Sequence, residues 1–220
     1  MENKNFNLTP LFGIPLYQTI VNPAISQAEL DFVKNVDYER FDADNGYGSK
    51  ERFLLDLPEL QDLKNRLLNY CGHYVYDVLD IDEQQATFEI TNSWSVKHHK
   101  GDESGAHIHV GSMFSAVYYI QTNQDSGEIV FHKDKSHYNI LTPTVNVPFK
   151  NKNFNICNSE AFAIPPMDNM LVIFPSTLSH SVNPSNTTQD RFCIAFNLFA
   201  FGRFDNGSRS QLGLKNITKA

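Results

Sequence analysis

The 220-residue chain has few cysteines, no long apolar run and no concentration of basic charge. Each shortage excludes a class of protein. Cys71, Cys157 and Cys193 are odd in number, far apart and never in a C-x-x-C pair, so reduced packing residues are expected rather than a disulfide framework or a thiolate zinc site. No segment approaches the ~18–20 apolar residues that span a bilayer, and the opening MENKNFNLTP lacks the charged-then-apolar order of a secretory signal. A cytoplasmic protein with no membrane partner is expected. With 18 Lys and Arg against 25 Asp and Glu, a formal charge of −7, no window supplies the basic stripe that tracks phosphates, so duplex nucleic acid is not an expected partner. Internal repeats, low-complexity blocks and Gly/Ser linkers are also missing, which favours one domain. The sequons at Asn7, Asn186, Asn206 and Asn216 carry no weight without an export signal.

What is present is an ordinary globular composition, 41% hydrophobic and 12% aromatic, enough apolar side chain to build a core. Its periodicity changes along the chain. In AISQAELDFVKNV (24–36), Ser26 with Glu29 three positions on has capping-box spacing and predicts a short helix. From Leu57 to Val78, Leu60, Leu63, Leu67, Cys71, Tyr74 and Val78 recur at steps of three and four, predicting one amphipathic helix of about six turns. From Ala86 onward come short β-prone runs, ATFEITNSWSV, MFSAVYYIQT, EIVFHK, FAIPP, MLVIFP and RFCIAFNLFAF, separated by turn-forming clusters. The organisation expected is a single domain: a helical N-terminal support (1–85), a β core (86–200) and a C-terminal extension (201–220). The pattern alone leaves open an antiparallel sandwich, a jelly roll or a distorted barrel, fronted by the helices.

Seven of the eight histidines, 98, 99, 107, 109, 132, 137 and 180, fall in the β-rich part; only His73 sits on the long helix. His107 and His109 project to one face of an extended chain and can meet one ion at ~2.0–2.1 Å per nitrogen. H-x-H is equally compatible with hydrogen-bonded surface histidines. Downstream, the apolar run NMLVIFP leads into His180, and a turn-rich excursion, SVNPSNTTQD, separates His180 from Arg191 at the head of RFCIAFNLF. An arginine there is either a solvated edge residue or, aimed into an apolar cavity, a fork for a carboxylate.

Taken together, H-x-H, FSAVYYI, GEIVF and LVIFPSTLSH with an arginine eleven residues later resemble the 2-oxoglutarate- and iron(II)-dependent oxygenases, in the branch common in marine bacteria and their phages. The opening LFGIPLYQT also resembles that branch. The resemblance covers roughly residues 10–200 and is specific from about Asn92 to Phe199. It implies a double-stranded β-helix, mainly β with the N-terminal helices packed on its sheet, and an enzyme that hydroxylates a small molecule or protein side chain with release of succinate and CO2. It also implies His107 and His180 as iron(II) ligands, Arg191 as the partner of the distal carboxylate of 2-oxoglutarate, and ascorbate as an accessory reductant. Tyr119, on one strand face with Ser115 and Val117, is the candidate for a hydroxyl contact to the cosubstrate, and Tyr118 points away into packing.

The sequence departs from the family at the middle ligand. His109 stands where H-x-D or H-x-E is usual, giving a candidate three-imidazole metal site of His107, His109 and His180 that zinc also accepts. Val110, Ala116 and the FHKD stretch at Asp134 replace residues usual in the branch, Pro, Gly and an Asp-Pro-Arg turn. Trp94, Phe114 and Phe131 are candidate pocket walls, although a single Trp in a β-rich domain is commonly core. Loops near 45–52 and from His132 are candidate recognition rims. Two further readings remain at this point, a non-catalytic β-helix that only binds a ligand, and a His₃ metal enzyme that does not use 2-oxoglutarate.

Overall fold

The computed structural model describes residues 13–41, 46–133, 159–204 and 212–214. Cys157, His137, the Asp134 turn, most of the second rim loop and the sequons at Asn7, Asn206 and Asn216 lie outside the described residues.

Alternation in the β-prone runs becomes a three-layer arrangement. The large sheet has the order β1 (Tyr17–Ile20), β9 (Met170–Pro175), β6 (Phe114–Gln121), β11 (Arg191–Phe204), β4 (Ala86–His98), β3 (Tyr47–Ser49), β2 (Tyr38–Arg40), with β12 (Leu212–Leu214) also on β11. A smaller sheet has the order β5 (Ser104–His107), β10 (His180–Val182), β7 (Ile129–His132), β8 (Ala161–Ile164). Every described strand pair is antiparallel. On the helix side of the large sheet, Phe114, Ala116, Tyr118, Leu171, Ile173, Ile194, Phe196 and Leu198 share a core with Val33, Leu63, Leu67 and Tyr74. The intervening positions Val117, Tyr119, Val172, Phe174 and Cys193 turn the other way and pack with Ile129, Phe131 and Ile164 of the small sheet. Period two thus sends alternate residues of one strand into two different cores. Two facing sheets with helices on the outer one are the double-stranded β-helix expected.

Helix α1 (Gln27–Lys34) starts at Ser26 with both arms of the capping box formed. Glu29 does more than cap. It also takes the guanidinium of Arg66 at 2.8 Å, which clasps α1 to α2 (Gln61–Gly72). The single six-turn helix predicted over 57–78 is instead three pieces: a 3₁₀ turn at Pro58–Leu60, α2, and a π-helical stretch at His73–Val78. The wider turn buries both Tyr74 and Val75, and leaves Val78, an expected core position, 51% exposed.

Residues 13–85 also hold β1, β2 and β3, which extend the large sheet at both ends and were not foreseen. No described helix is long and apolar enough to cross a membrane. Of the candidate walls, Trp94 lines a cavity between the sheets, whereas Phe114 packs against Tyr74 and Phe88 in the helix-side core and walls nothing. Its even-numbered place on β6 decides that. Phe131 stacks edge-on to Phe174 behind His180.

Candidate active site

Strand pairing assembles the site from its separate pieces. His107 ends β5 and His180 begins β10, and the two are direct cross-strand partners in the small sheet. Directly opposed residues bring their Cβ atoms within ~4.5–5.5 Å. Two positions past His107 the chain swings to the large sheet, where the His109 amide donates to the Ser176 carbonyl at 3.0 Å. One nitrogen from each of His107, His109 and His180 lies within 4.8 Å of the others. Small side-chain rotations close that to the ~3.0–3.4 Å between neighbouring nitrogens bound at ~2.0–2.1 Å to one ion.

The second nitrogen of each ring fixes which tautomer is present. Nδ1 of His107 meets the Gly105 carbonyl at 2.8 Å, Nδ1 of His180 the Leu178 carbonyl at 3.0 Å, and Nδ1 of His109 the Asn197 side-chain oxygen at 2.8 Å. Carbonyl oxygens only accept, so each Nδ1 carries the proton and each Nε2 keeps a lone pair for the cluster. Burial, outweighing the hydrogen bond from Leu178 and reinforced by His107, His109 and His132, pushes His180 down to about 3. Burial likewise lowers His109, against the pull of Asn197. Both imidazoles are therefore neutral at physiological pH, the form that binds metal.

Asn197 is held as firmly as the ring it orients. Its Oδ1 also accepts from Ser115, whose hydroxyl joins Ser176 and Ser112 in a chain, and its Nδ2 donates to Asn92 Oδ1 at 2.8 Å. Asn92 and Asn197 are cross-strand partners beside a bulge where Thr91 is the extra residue of β4. Bulges of this kind re-aim side chains at sites.

Arg191 opens β11, 2% exposed. Its Nη1 donates to the carbonyls of Ser126 and Gly127 at 3.3 and 3.0 Å, its Nη2 donates to Nδ1 of His98 at 2.8 Å, and its Nε is buried without a partner. Among the described residues no carboxylate pairs with it. His98, opposite Arg191 on β4, is pushed down to about 3 by burial, the Arg191 charge and His99. It therefore accepts on Nδ1 and has Nε2 directed to Ser104 Oγ at 3.4 Å. Two glycines permit this packing: a Cβ on Gly46 would overlap the His98 ring, and Gly127, at φ +89°, would overlap the Asn183 carbonyl. Tyr119 lies against the guanidinium, 6.0 Å from ring centre to Cζ, and burial raises its hydroxyl.

The three histidines, Arg191 and Tyr119 all line one cavity of about 450 Å³ between the sheets. All five sequence-predicted residues are thus brought together. His98, Asn92 and Asn197 were missed. Asn197 is at most a lone amide inside the apolar run RFCIAFNLF, and Asn92 and His98 are marked by strand pairing alone.

Residues 92–197 match the model of the family described as "Putative 2OG-Fe(II) oxygenase". Over that segment the chain resembles this family. The matched segment holds every residue of the cluster just described. No curated protein matches its sequence. Among solved structures, an oxidoreductase of the 2OG-Fe(II) oxygenase family from Burkholderia pseudomallei is 15% identical with TM-score 0.56, covering 83% of each chain. A Pseudomonas putida prolyl-4-hydroxylase is 11% identical with TM-score 0.52 over 84% of this chain and 92% of its own. HygX from Streptomyces hygroscopicus, solved with nickel, 2-oxoglutarate and hygromycin B, is 11% identical with TM-score 0.53 over 84% and 82%. At these identities the likeness establishes the double-stranded β-helix.

Proposed function

We propose that the protein is a 2-oxoglutarate-dependent oxygenase that holds iron(II) on His107, His109 and His180, binds 2-oxoglutarate with its distal carboxylate on Arg191, and hydroxylates a C–H bond of its substrate with release of succinate and CO2. The observation that carries this reading is the pairing, in one cavity, of three imidazoles with free Nε2 lone pairs and a buried arginine that meets no carboxylate among the described residues. A buried cation without an anion costs several kcal/mol; a cosubstrate carboxylate offsets that cost. Nickel and 2-oxoglutarate in the HygX structure support the same pairing of ligands.

Each residue then has a task. The Nδ1 bonds aim three rings at one point, and Phe174 and Phe131 keep water from the His180 side. Ser126, Gly127 and His98 hold the guanidinium flat, leaving Nε free to donate, and Tyr119 offers a hydroxyl beside it. When bound, iron(II) with 2-oxoglutarate supplies the oxidising chemistry, the oxidation of the cosubstrate to succinate and CO2 allowing one atom of O2 to enter the substrate. With His109 in place of a carboxylate, the protein contributes no negative charge to the metal, and donor type alone does not separate iron(II) from zinc.

The test is metal analysis, anaerobic 2-oxoglutarate titration and succinate measurement with iron(II) and ascorbate. Stoichiometric iron, 2-oxoglutarate binding and succinate above background are expected. Zinc without 2-oxoglutarate affinity would instead favour a His₃ enzyme of another kind, and cosubstrate binding without succinate a passive binding module.

A further inference from the structure

The cavity is chemically unlike the surface around it. The chain carries a formal charge of −7, yet among the described residues the cavity lining contains two arginines and no Asp or Glu. Arg191 accounts for one anion. The second arginine, Arg52, lies at the side formed by β4, whose inward-facing Asn92, Trp94 and Val96 share the lining with Phe41.

Arg52 is built in rather than dangling. Its carbonyl accepts the Ser93 amide at 2.8 Å, and the next residue, Phe53, forms a bridge with Ser93, so its backbone rides along β4 beside Trp94. The guanidinium sits 5.6 Å over the Phe41 ring, and Glu39 takes Nη2 alone at 2.9 Å. Packed on an aromatic face and tied at one nitrogen, the fork is pre-organised for an oxyanion. Asn92 adds to this. Its Oδ1 is occupied by Asn197, so what it presents to the cavity is an amide donor. Trp94, stacked on His109 at 5.8 Å, carries the apolar lining from this corner to the histidines.

We propose that the substrate is a small molecule with a carboxylate or phosphate group received by Arg52, and an apolar or aromatic body lying along Trp94 and Phe41 toward His109. This rests on the oxygenase reading above. A volume of about 450 Å³ lies within the range of small-molecule sites, and a second cation in a lining whose described residues include no acid selects against neutral and cationic competitors.

The test titrates 3-phenylpropanoate, phenyl phosphate, 3-phenylpropanamide and 2-phenylethylamine into protein loaded with iron(II) and saturating 2-oxoglutarate, without oxygen. Binding is read by calorimetry and by emission of Trp94, the sole tryptophan. Both anions are expected to bind at least about tenfold more tightly than the amide, a 1.4 kcal/mol difference, with the amine weakest. Whichever anion binds tighter assigns carboxylate or phosphate. Arg52→Gln should bring the acid-to-amide ratio to about one and Arg52→Lys should keep part of it, both with unchanged 2-oxoglutarate affinity as the check on folding. Equal binding of acid and amide, preference for the amine, no anion binding at millimolar concentration, or a ratio that survives Arg52→Gln overturns the proposal. If native protein fails to bind 2-oxoglutarate while the Arg52-dependent preference persists, the cosubstrate reading falls and this one stands.

Discussion

Replacing Arg191 by methionine separates what that residue does for the fold from what it does for the ligand. Methionine keeps an apolar stem of similar length but removes donors to the Ser126 and Gly127 carbonyls and to His98. Each buried acceptor left unmet costs on the order of 1 kcal/mol or more, a total of about 3 kcal/mol. Relief of the unpaired buried charge offsets part or all of that, so against a domain stability of ~5–15 kcal/mol the variant still folds, with its melting temperature lowered by at most about 12 °C at the usual ~2–4 °C per kcal/mol for this size. Removal of the charged contact to 2-oxoglutarate costs a further ~1.5–3 kcal/mol of binding, a roughly 10- to 150-fold rise in Kd. Arg191→Lys keeps the charge without the fork and should fall between. Thermal melts and anaerobic 2-oxoglutarate calorimetry measure the two effects on the same samples. A lowered melting temperature with unchanged 2-oxoglutarate affinity would refute the assignment, leaving Arg191 a buried strut.

Alanine at His107 or His180 should abolish stoichiometric metal binding and leave the circular dichroism spectrum intact; metal content that survives both changes places the site elsewhere. Asn197→Leu should weaken metal affinity about 10- to 100-fold by freeing the His109 ring, and Asn197→Asp, which restores an acceptor, should recover most of it in the same competition titration. Glu29 tests the α1–α2 clasp through pH: burial pushes its carboxyl up, but hydrogen bonds from Ser26 and Arg66 outweigh that and hold it below the ordinary 4.5. Its contribution is therefore complete above that value and lost as pH falls through the depressed one. Glu29→Gln should cost ~1–2 kcal/mol in urea melts at pH 7, with the gap from native protein closing as pH falls through the depressed carboxyl value; a gap constant with pH would show that the charge is irrelevant.

Legibility in the sequence followed the length of the signal. β6, β9 and β11 are long β-prone runs, and the face of Tyr119 could be read directly because period two leaves only two faces, whereas Arg191 is placed by the resemblance. α1 was legible through a local device, the Ser26–Glu29 box. β1, β2 and β3 have four, three and three residues, too few for alternation to register, and their strand character comes from partners far along the chain. The π-helical turn at His73–Val78 was hidden for a related reason: steps of three and four fit the ordinary helix well, and only packing of Tyr74 and Val75 shows the wider one. In the site, the chemistry-bearing histidines stood out by type. Their supporting residues, Asn92, Asn197 and His98, did not, because what makes them functional is a cross-strand neighbour that no local pattern names.

β11 acts as a ruler. Its odd positions 191, 193, 195 and 197 line the cavity while 192, 194, 196 and 198 pack under the helices. The guanidinium and the amide that aims His109 are therefore six residues apart on one rigid strand, about 20 Å at ~3.3 Å per residue. Deleting one residue between them would shorten that gauge and also exchange the strand's faces, driving a cation into the helix-side core and phenylalanines into the cavity. The turn-rich stretch before it, residues 183–190, is held differently, by backbone hydrogen bonds from Asn183, Ser185 and Asn186 to Glu128, Asp102 and Asp125, so a change of length there costs loop contacts without exchanging the strand's faces.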